Sequence, residues 1–149
     1  MRSIYDGIKV QTSFLQTING SIVGTVTGTS VDTKGLNSAM LSVDAGPITV
    51  AGTLQVTLQE ASDNATWTVA TDNTGAAIGF TIGLNSTAAT LATHAQARIE
   101  GLNLNRKRYL RVLGSLTNTL GVSTVVATII SGRAYEEPEF AGSAVTSNT

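Results

Sequence analysis

The stretch TLQVTLQEASDNATWT (53–68) decides the fold class, because apolar and polar residues alternate along it, stop, and then begin again. In an extended chain, Leu54, Val56 and Leu58 point to one side, while the threonines and glutamines between them point to the other. This period of two is typical of a β-strand that has one buried and one solvated face. The stretch therefore predicts a strand that contributes one side to a hydrophobic core.

The turn residues SDN (62–64) separate this strand from a second alternating run that begins around Trp67, the only tryptophan of the chain. Serine, aspartate and asparagine side chains close turns by bonding to nearby backbone, so the two runs predict a hairpin. We expect Trp67 to cap the core beneath the turn, because a sugar-stacking platform, the alternative, usually combines several exposed rings. The predicted core contains Leu54, Val56, Leu58, Trp67, Val69, Leu110 and Val112.

The same period of two recurs along most of the chain, and clusters of Gly, Asn, Asp and Ser separate the runs. Together with 53–60, the candidate strands are 21–33, 38–46, 65–71, 79–84, 108–117 and 123–135. Short strands in this number predict an all-β fold, a single antiparallel β-sandwich of jelly-roll type. The 149 residues suit one domain, which we place at 21–135, with an extended N-terminal arm at 1–20 and a C-terminal tail at 136–149.

The segment from Ser86 to Gly101 fits two interpretations. Its apolar residues recur at spacings of three and four, which is typical of a short helix, but QARIEGL (96–102) also alternates. We expect a loop at 85–94 and a strand at 95–102, with a short helix as the alternative.

The composition excludes several classes of function. The chain has no cysteine, so it forms no disulfide and no cysteine-based metal site. Its formal net charge is -1, from 9 basic and 10 acidic residues, so no global field attracts nucleic acid or an anionic membrane. No stretch approaches the roughly 20 apolar residues that span a bilayer, and the N-terminus lacks the apolar core of a signal peptide. We expect a soluble product with no specific nucleic-acid partner and no membrane partner.

Candidate catalytic and metal-binding residues are few. Glu60, Asp63 and Asp72 fall near one end of the predicted hairpin, where an oxygen-ligated calcium ion or a pair of glycosidase carboxylates is conceivable. No EF-hand spacing accompanies them, and turn formation is the favoured interpretation. His94, the only histidine, has no serine or cysteine in a recognisable nucleophile motif. We therefore expect no enzymatic activity, no catalytic residue, no metal and no cofactor.

The segment NRKRYLRV (105–112) concentrates four of the nine basic residues. On a strand, Arg106 and Arg108 share one face while Lys107 and Arg111 share the other, so the cluster is not a single stripe. A solvated turn is the favoured interpretation. The alternative is docking onto an acidic protein surface, because guanidinium groups bind carboxylates through two bonds. Nucleic acid comes third, because interleaved aromatic residues are missing.

Four phrases of the sequence resemble a known group of proteins. They are SVDTKGLNSAMLSVDAG (30–46), TLQVTLQEASDNATWT (53–68), RKRYLRV (106–112) and GRAYEEPEF (132–140). In this order and spacing they resemble small virion proteins of tailed phages, similar to capsid decoration or cement proteins. The resemblance spans 30–140 and brings no active site with it.

The resemblance implies a β-sandwich or jelly roll that binds the outside of the major capsid protein shell and stabilises it. It also implies that the protein is made in the host cytoplasm and is located in the virion, on the capsid exterior. We expect a homotrimer, with a dimer as the alternative, because many weak contacts repeated by symmetry stabilise a shell.

The arm and the basic segment are the expected partner contacts. The arm carries apolar side chains without a clear period, and their burial contributes more than exposed ion pairs do. The predicted contacts with the capsid or a sister subunit are Ile4, Tyr5, Ile8, Phe14, Arg106, Lys107 and Arg108.

A different class of function stays open beside this one. The triplets NGS (19–21), NAT (64–66) and NST (85–87) match the glycosylation acceptor pattern. The threonine-rich sandwich is alternatively a carbohydrate-binding or adhesin-type module on a virion or cell surface. A hydrolase is the third option, and it rests on Glu60 with Asp63 alone.

Overall fold

The computed structural model describes residues 8–18, 24–46, 52–84, 93–99, 106–117 and 123–132. Within these ranges the chain forms strands joined by turns, and no described segment is a helix able to cross a membrane. The strands are β1 (Ile8–Ile18), β2 (Gly24–Thr27), β3 (Val31–Asp32), β4 (Ser38–Ala45), β5 (Gly52–Ala61), β6 (Thr68–Val69), β7 (Gly79–Leu84), β8 (Thr93–Ile99), β9 (Tyr109–Thr117) and β10 (Ser123–Gly132). The predicted all-β class is confirmed.

The strands form two antiparallel sheets. Sheet I has the order β1-β10-β4-β8, and sheet II has the order β2-β9-β5-β6, with β3 also paired to β9 and β7 to β5. Along the chain, pairing is nested: β1 with β10, β2 with β9, β4 with β8, and β5 with β7. Such nesting is what a long hairpin gives when it rolls into two facing sheets, which is the jelly roll. The predicted antiparallel sandwich of jelly-roll type is therefore confirmed.

The core lies between the two sheets. Its fully buried side chains include Leu41, Val43 and Ile129 from sheet I and Leu54, Val56, Leu58, Leu110 and Val112 from sheet II. Each such side chain stabilises the fold by about 1.5–3 kcal/mol through burial. The period of two in the sequence thus predicted the inward-facing residues of β5 and β9 correctly.

Two members of the predicted core are wrong. Val69 is 46% exposed, and Trp67 is only partly buried and lies outside the core cluster. The reason is that β6 is two residues long and pairs Val69 with Gln59, which belongs to the outer face of β5. The second alternating run therefore forms a short edge strand of sheet II from which Val69 faces outward, while Ala70 just after it is buried.

Strand β1 corrects the predicted N-terminal arm. Ile8–Ile18 pairs with β10 along its length, so this part of the expected arm belongs to the sandwich. A β-bulge between Thr12 and Phe14 shifts the register, so that Val10 faces outward while Phe14 faces the core. The extra residue conceals the period of two in the sequence. Residues 1–7 and the predicted tail at 136–149 lie outside the described residues.

The ambiguous segment is a strand where it is described. Thr93–Ile99 forms β8, which confirms the predicted strand over 95–99 and begins it two residues earlier. The helical alternative is wrong for these residues, because cross-strand bonds to β4 take their backbone groups. Residues 85–92 and 100–102 lie outside the described part of the chain.

Ser13, at the bulge, joins the edges of the two sheets. Its Oγ donates to the carbonyl of Thr29 at 2.7 Å and accepts from the backbone N–H of Val112 at 2.9 Å. Gly28, between β2 and β3, donates its N–H to the Val112 carbonyl at 2.7 Å. A Cβ at Gly28 would lie 2.5 Å from the Ser13 carbonyl oxygen, so only glycine fits. This seam holds β1 against sheet II and so determines which of its side chains face solvent.

Candidate interaction surface

The basic segment is fastened to sheet II from within the same chain. Arg106 Nη1 lies 3.3 Å from Glu60 Oε2, with side chains only 9% and 13% exposed, and its Nη2 donates to the Thr71 carbonyl at 2.8 Å. The Lys107 ammonium donates to Thr68 Oγ1 at 2.8 Å. Glu60 therefore acts as the counterion of a nearly buried arginine, and Arg106 is in a poor position to meet a partner.

Arg108 forms the second ion pair of this segment. Its Nε and Nη2 donate to the two carboxylate oxygens of Asp32 at 2.8 and 2.6 Å. These bonds from Arg108 hold the pKa of the Asp32 carboxyl well below its usual range. The guanidinium also lies 4.9 Å from the centroid of the Tyr109 ring. The pair ties the start of β9 to β3, which is a structural role for a residue predicted to bind a partner.

Trp67 lies on the outer side of sheet II beneath a guanidinium. The Arg111 Cζ sits 4.1 Å from the centroid of the indole ring, and Arg111 Nε donates to Gln59 Oε1 at 2.8 Å. Burial lowers the pKa of Arg111. Because the cation covers one face of the ring, that face is not available to stack on a sugar.

The acidic turn residues are occupied by backbone donors. Asp63 Oδ1 accepts from the N–H groups of Ala65 at 2.9 Å and Thr66 at 2.7 Å, and the Thr66 donor lowers the pKa of Asp63 to about 2. Asp72 Oδ1 accepts in the same way from Thr74 and Ala76. No group of three or more His, Asp or Glu side chains suited to a metal ion occurs among the described residues. These carboxylates close turns, as the favoured interpretation of the sequence holds.

Among the described residues, the large apolar side chains that are exposed lie on the outer face of sheet I, apart from Val69. Ile8, Val10 and Leu15 of β1 are 50%, 63% and 67% exposed. Their cross-strand neighbours on β10 are half-buried: Ile130 pairs with Val10, and Val126 pairs with Leu15. Met40 of β4 lies beside Ile130. We call these six residues, Ile8, Val10, Leu15, Met40, Val126 and Ile130, the apolar strip.

A depression of about 250 Å³ opens at one end of the apolar strip. It is lined by Ile8, Met40 and Ile130, together with Ser38 and Gly132. Space remains at Gly132 because this residue has no side chain. The surface is therefore both apolar and concave at this end.

The other half of the same face is polar and charged. On β4 and β8, Asp44 pairs with His94, Ser42 with Gln96, and Met40 with Arg98. His94 Nδ1 lies 2.5 Å from Asp44 Oδ1, and both side chains are about half exposed. Asp44 and His94 thus sit at one end of the β4–β8 pair and Arg98 at the other, beside the apolar strip.

The structure changes the set of predicted contact residues. Phe14 is wrong as a contact, because its ring is 2% exposed and packs in the core, while Ile8 is exposed as expected. Ile4 and Tyr5 lie outside the described residues, and the role of Arg106, Lys107 and Arg108 toward a partner stays a prediction. Val10 and Leu15 were not among the predicted contacts, although the apolar Ile8 and Val10 do alternate with the polar Lys9 and Gln11 before the bulge.

The fold and this surface define a class, a jelly-roll β-sandwich with one partly apolar sheet face. The architecture recurs in viral capsid and lectin domains. Among solved structures, the PBSX exported protein XepA matches with a TM-score of 0.51 at 16% identity, over 85% of this chain and 38% of that chain. This likeness shows the fold alone, and the present chain spans 38% of that protein's length.

Two capsid structures match at lower TM-scores. The Triatoma virus empty capsid gives 0.43 at 11% identity, over 85% of this chain and 88% of that chain. The infectious bursal disease virus VP2 subviral particle gives 0.28 at 17% identity, over 85% and 41%. Values this low carry no weight for function. No family model and no curated protein sequence matches the chain.

Proposed function

We propose that this protein is a phage capsid decoration protein, which binds the outside of the major capsid protein shell and stabilises it. The observation that carries the proposal is the apolar strip, two neighbouring groups of exposed or half-buried aliphatic and thioether side chains on one face of the sandwich, separated by Thr12 and Thr128. A surface of this kind marks a protein–protein contact. The resemblance of four sequence phrases to phage decoration proteins supports a contact that is made in a virion.

The surroundings of the three acidic residues considered for catalysis, Glu60, Asp63 and Asp72, favour a binding protein over an enzyme. Glu60 neutralises Arg106, while Asp63 and Asp72 accept backbone hydrogen bonds within their own turns. A general acid or nucleophile has to reach a substrate, whereas these oxygens already have internal donors. The carbohydrate-module alternative is weakened, because Arg111 covers one face of Trp67, the ring that would stack on a sugar.

The energetics suit a protein that acts in many copies. Burying one aliphatic side chain of the apolar strip contributes about 1.5–3 kcal/mol, which is modest for a single copy. Repetition over a symmetric shell converts modest contacts into strong resistance to shell expansion or disruption. The apolar strip would supply such an assembly contact, with the shell or with a sister subunit.

The test is addition of the purified chain to undecorated capsids of the phage that encodes it. Co-sedimentation should reach a saturating ratio, electron cryomicroscopy should show added density on the capsid exterior, and the capsid melting temperature should rise. Absence of co-sedimentation at saturating protein concentration would refute the proposal. Binding to a glycan array instead of to capsids would favour the adhesin alternative.

A further inference from the structure

We infer that the outer face of sheet I binds the same face of a second copy of this chain, related by a two-fold axis. The inference rests on the proposed role of the apolar strip as an assembly contact, and it names the occupant. It follows from how apolar and charged groups are distributed over the face.

Cross-strand pairing arranges the outward side chains of the central part of sheet I in three rows that run across the strands, with a further row of Ile8, Gly132 and Ser38 beyond the first. The first row is Val10, Ile130, Met40 and Arg98; the middle row is Thr12, Thr128, Ser42 and Gln96; the third row is Leu15, Val126, Asp44 and His94. Each of the three rows begins on β1 and ends on β8. The first and third rows are apolar at the β1 end and charged at the β8 end, while the middle row is polar throughout.

A two-fold axis along the middle row makes this pattern self-complementary. It places β1 of one copy over β1 of the other and lays the first row against the partner's third row. Val10 then faces Leu15 of the other copy, and Ile130 faces Val126. Four of the six residues of the apolar strip, Val10, Ile130, Leu15 and Val126, thus cover one another, as an isologous interface requires.

The charges agree with the same axis. At the β8 end, Arg98 faces His94 of the other copy and Met40 faces Asp44, so the Arg98 guanidinium lies diagonally across from the Asp44 carboxylate. The symmetry produces this contact twice. Opposite charges across an interface fix orientation and register, so the arrangement discriminates between ways of packing the two faces.

The other in-plane axis fails this comparison. A two-fold axis parallel to the strands would place β1 over β8 of the partner. Val10 would then lie against Arg98, and Leu15 against His94, so charged groups would be buried on aliphatic side chains at a desolvation cost. The axis along the middle row instead pairs four aliphatic side chains of the apolar strip with one another, and it leaves only Met40 of the first row against a charged group, Asp44.

Shape adds a second kind of complementarity. Leu15 is more exposed than Ile8 and Val10, and it stands in the third row. The depression bounded by Ile8, Met40 and Ile130 lies at the first-row end. The two-fold axis brings Leu15 of each copy over the end of the sheet that holds the depression of the other.

The size of the face predicts a weak dimer. With four strands and the eight residues of β4, the face measures about 19 Å by about 27 Å, on the order of 500 Å² per copy. A pair therefore buries about 1,000 Å², which is the lower limit for a specific interface. We expect a dissociation constant in the micromolar range, so the dimer forms when copies are concentrated, as on a shell.

Sedimentation velocity of the full chain over a range of concentrations tests self-association. Val10→Lys should raise the dissociation constant by at least about tenfold, because a desolvated charge replaces an apolar contact. Val69→Lys is the matched control, since Val69 is the exposed valine of sheet II, and it should leave the constant unchanged. Circular dichroism confirms that both variants fold. A monomer at every concentration, or equal effects of the two variants, would overturn the inference.

Cross-linking tests the position of the axis. Because the chain has no cysteine of its own, only the introduced cysteines react. Packed sheets lie about 10 Å apart, beyond the reach of a disulfide, so a short bismaleimide is the reagent. A mixture of Val10→Cys and Leu15→Cys chains should cross-link, while either variant alone should not. Equal cross-linking by Val10→Cys alone would exclude this register.

Capsid binding separates the inference from the proposed function. A wild-type chain that dimerises but leaves capsids undecorated would end the decoration proposal and keep the two-fold interface. A chain that decorates capsids yet stays monomeric, with Val10→Lys abolishing decoration, would assign the same face to the shell and overturn the inference.

Discussion

Ser13 Oγ accepts a hydrogen bond from the backbone N–H of Val112 at 2.9 Å, although 99 residues separate the two in the chain. The N–H belongs to β9, at the point where the partner strand is interrupted between β2 and β3. A side chain from the edge of sheet I thus satisfies a backbone donor of sheet II. The contact closes one side of the sandwich, and it does so through the residue that creates the bulge in β1.

Removing this hydroxyl should destabilise the fold. Ser13→Ala leaves the Val112 N–H buried without its acceptor, which costs about 1–3 kcal/mol in the free energy of unfolding. Ser38→Ala removes an exposed hydroxyl that donates to the Gly132 carbonyl and should cost less than about 0.5 kcal/mol. Urea denaturation of both variants measures the difference, and equal costs would contradict the importance of the seam.

Two neighbouring residues of β1 should behave in opposite ways. Phe14→Ala removes a core ring and should lower the free energy of unfolding by about 3–5 kcal/mol. Leu15→Ala truncates an exposed side chain and should change it by less than about 0.5 kcal/mol in the monomer. Thermal and urea unfolding at low concentration make the comparison. A small effect of Phe14→Ala would mean that β1 is an independent arm after all.

Acid should weaken the protein through two aspartates. The pKa of Asp32 is held low by Arg108, and the pKa of Asp63 is lowered to about 2 by the Thr66 N–H. An unfolded chain titrates aspartate near about 3.9, so it binds more protons than the folded chain as the pH falls. The stabilisation is fully present above the unfolded pKa and is lost as the pH falls through the folded values.

Urea denaturation at about pH 7 and about pH 3 measures this dependence. In the double variant Asp32→Asn/Asp63→Asn, the free energy of unfolding should differ less between the two pH values, because asparagine does not titrate at either position. If the double variant lost as much unfolding free energy in acid as the wild-type chain does, groups other than Asp32 and Asp63 would cause the acid sensitivity.

Trp67 should contribute less to stability than a core residue does. Its contact with Arg111 is a partly exposed cation–π interaction, so Trp67→Ala should cost about 0.5–2 kcal/mol. Leu110→Ala, which opens a cavity in the core, should cost about 2–5 kcal/mol. Arg111→Ala should also shift the tryptophan fluorescence, since the guanidinium covers the ring. A cost for Trp67→Ala as large as that for Leu110→Ala would restore the ring to the core.

Regular alternation made most of the fold predictable from the sequence. Leu54, Val56 and Leu58 are buried as expected, because β5 has neighbours on both sides and its period of two is unbroken. The pattern failed at β1, where a bulge adds one residue, and at Val69, where a strand of two residues follows the outer face.

The candidate site was harder to predict because its contacts are distant in sequence. The basic segment looks free to bind a partner, but Arg106 and Arg108 meet Glu60 and Asp32, which are 46 and 76 residues away. Likewise, the residues of the apolar strip come from β1, β10 and β4, and they become neighbours only when the sheet forms. Local patterns do not contain either arrangement.

The nested pairing also governs when this protein can fold. β1 finds its partner only after Ser123–Gly132 has left the ribosome, so Ile8 waits for Gly132 to be translated. Contacts of such long sequence separation make folding slow, on the scale of milliseconds to seconds. Until β10 arrives, β1 lacks the strand with which it pairs, and the ring of Phe14 is not held in the core. Newly made chains should therefore depend on chaperones during synthesis, and their maturation should precede any assembly.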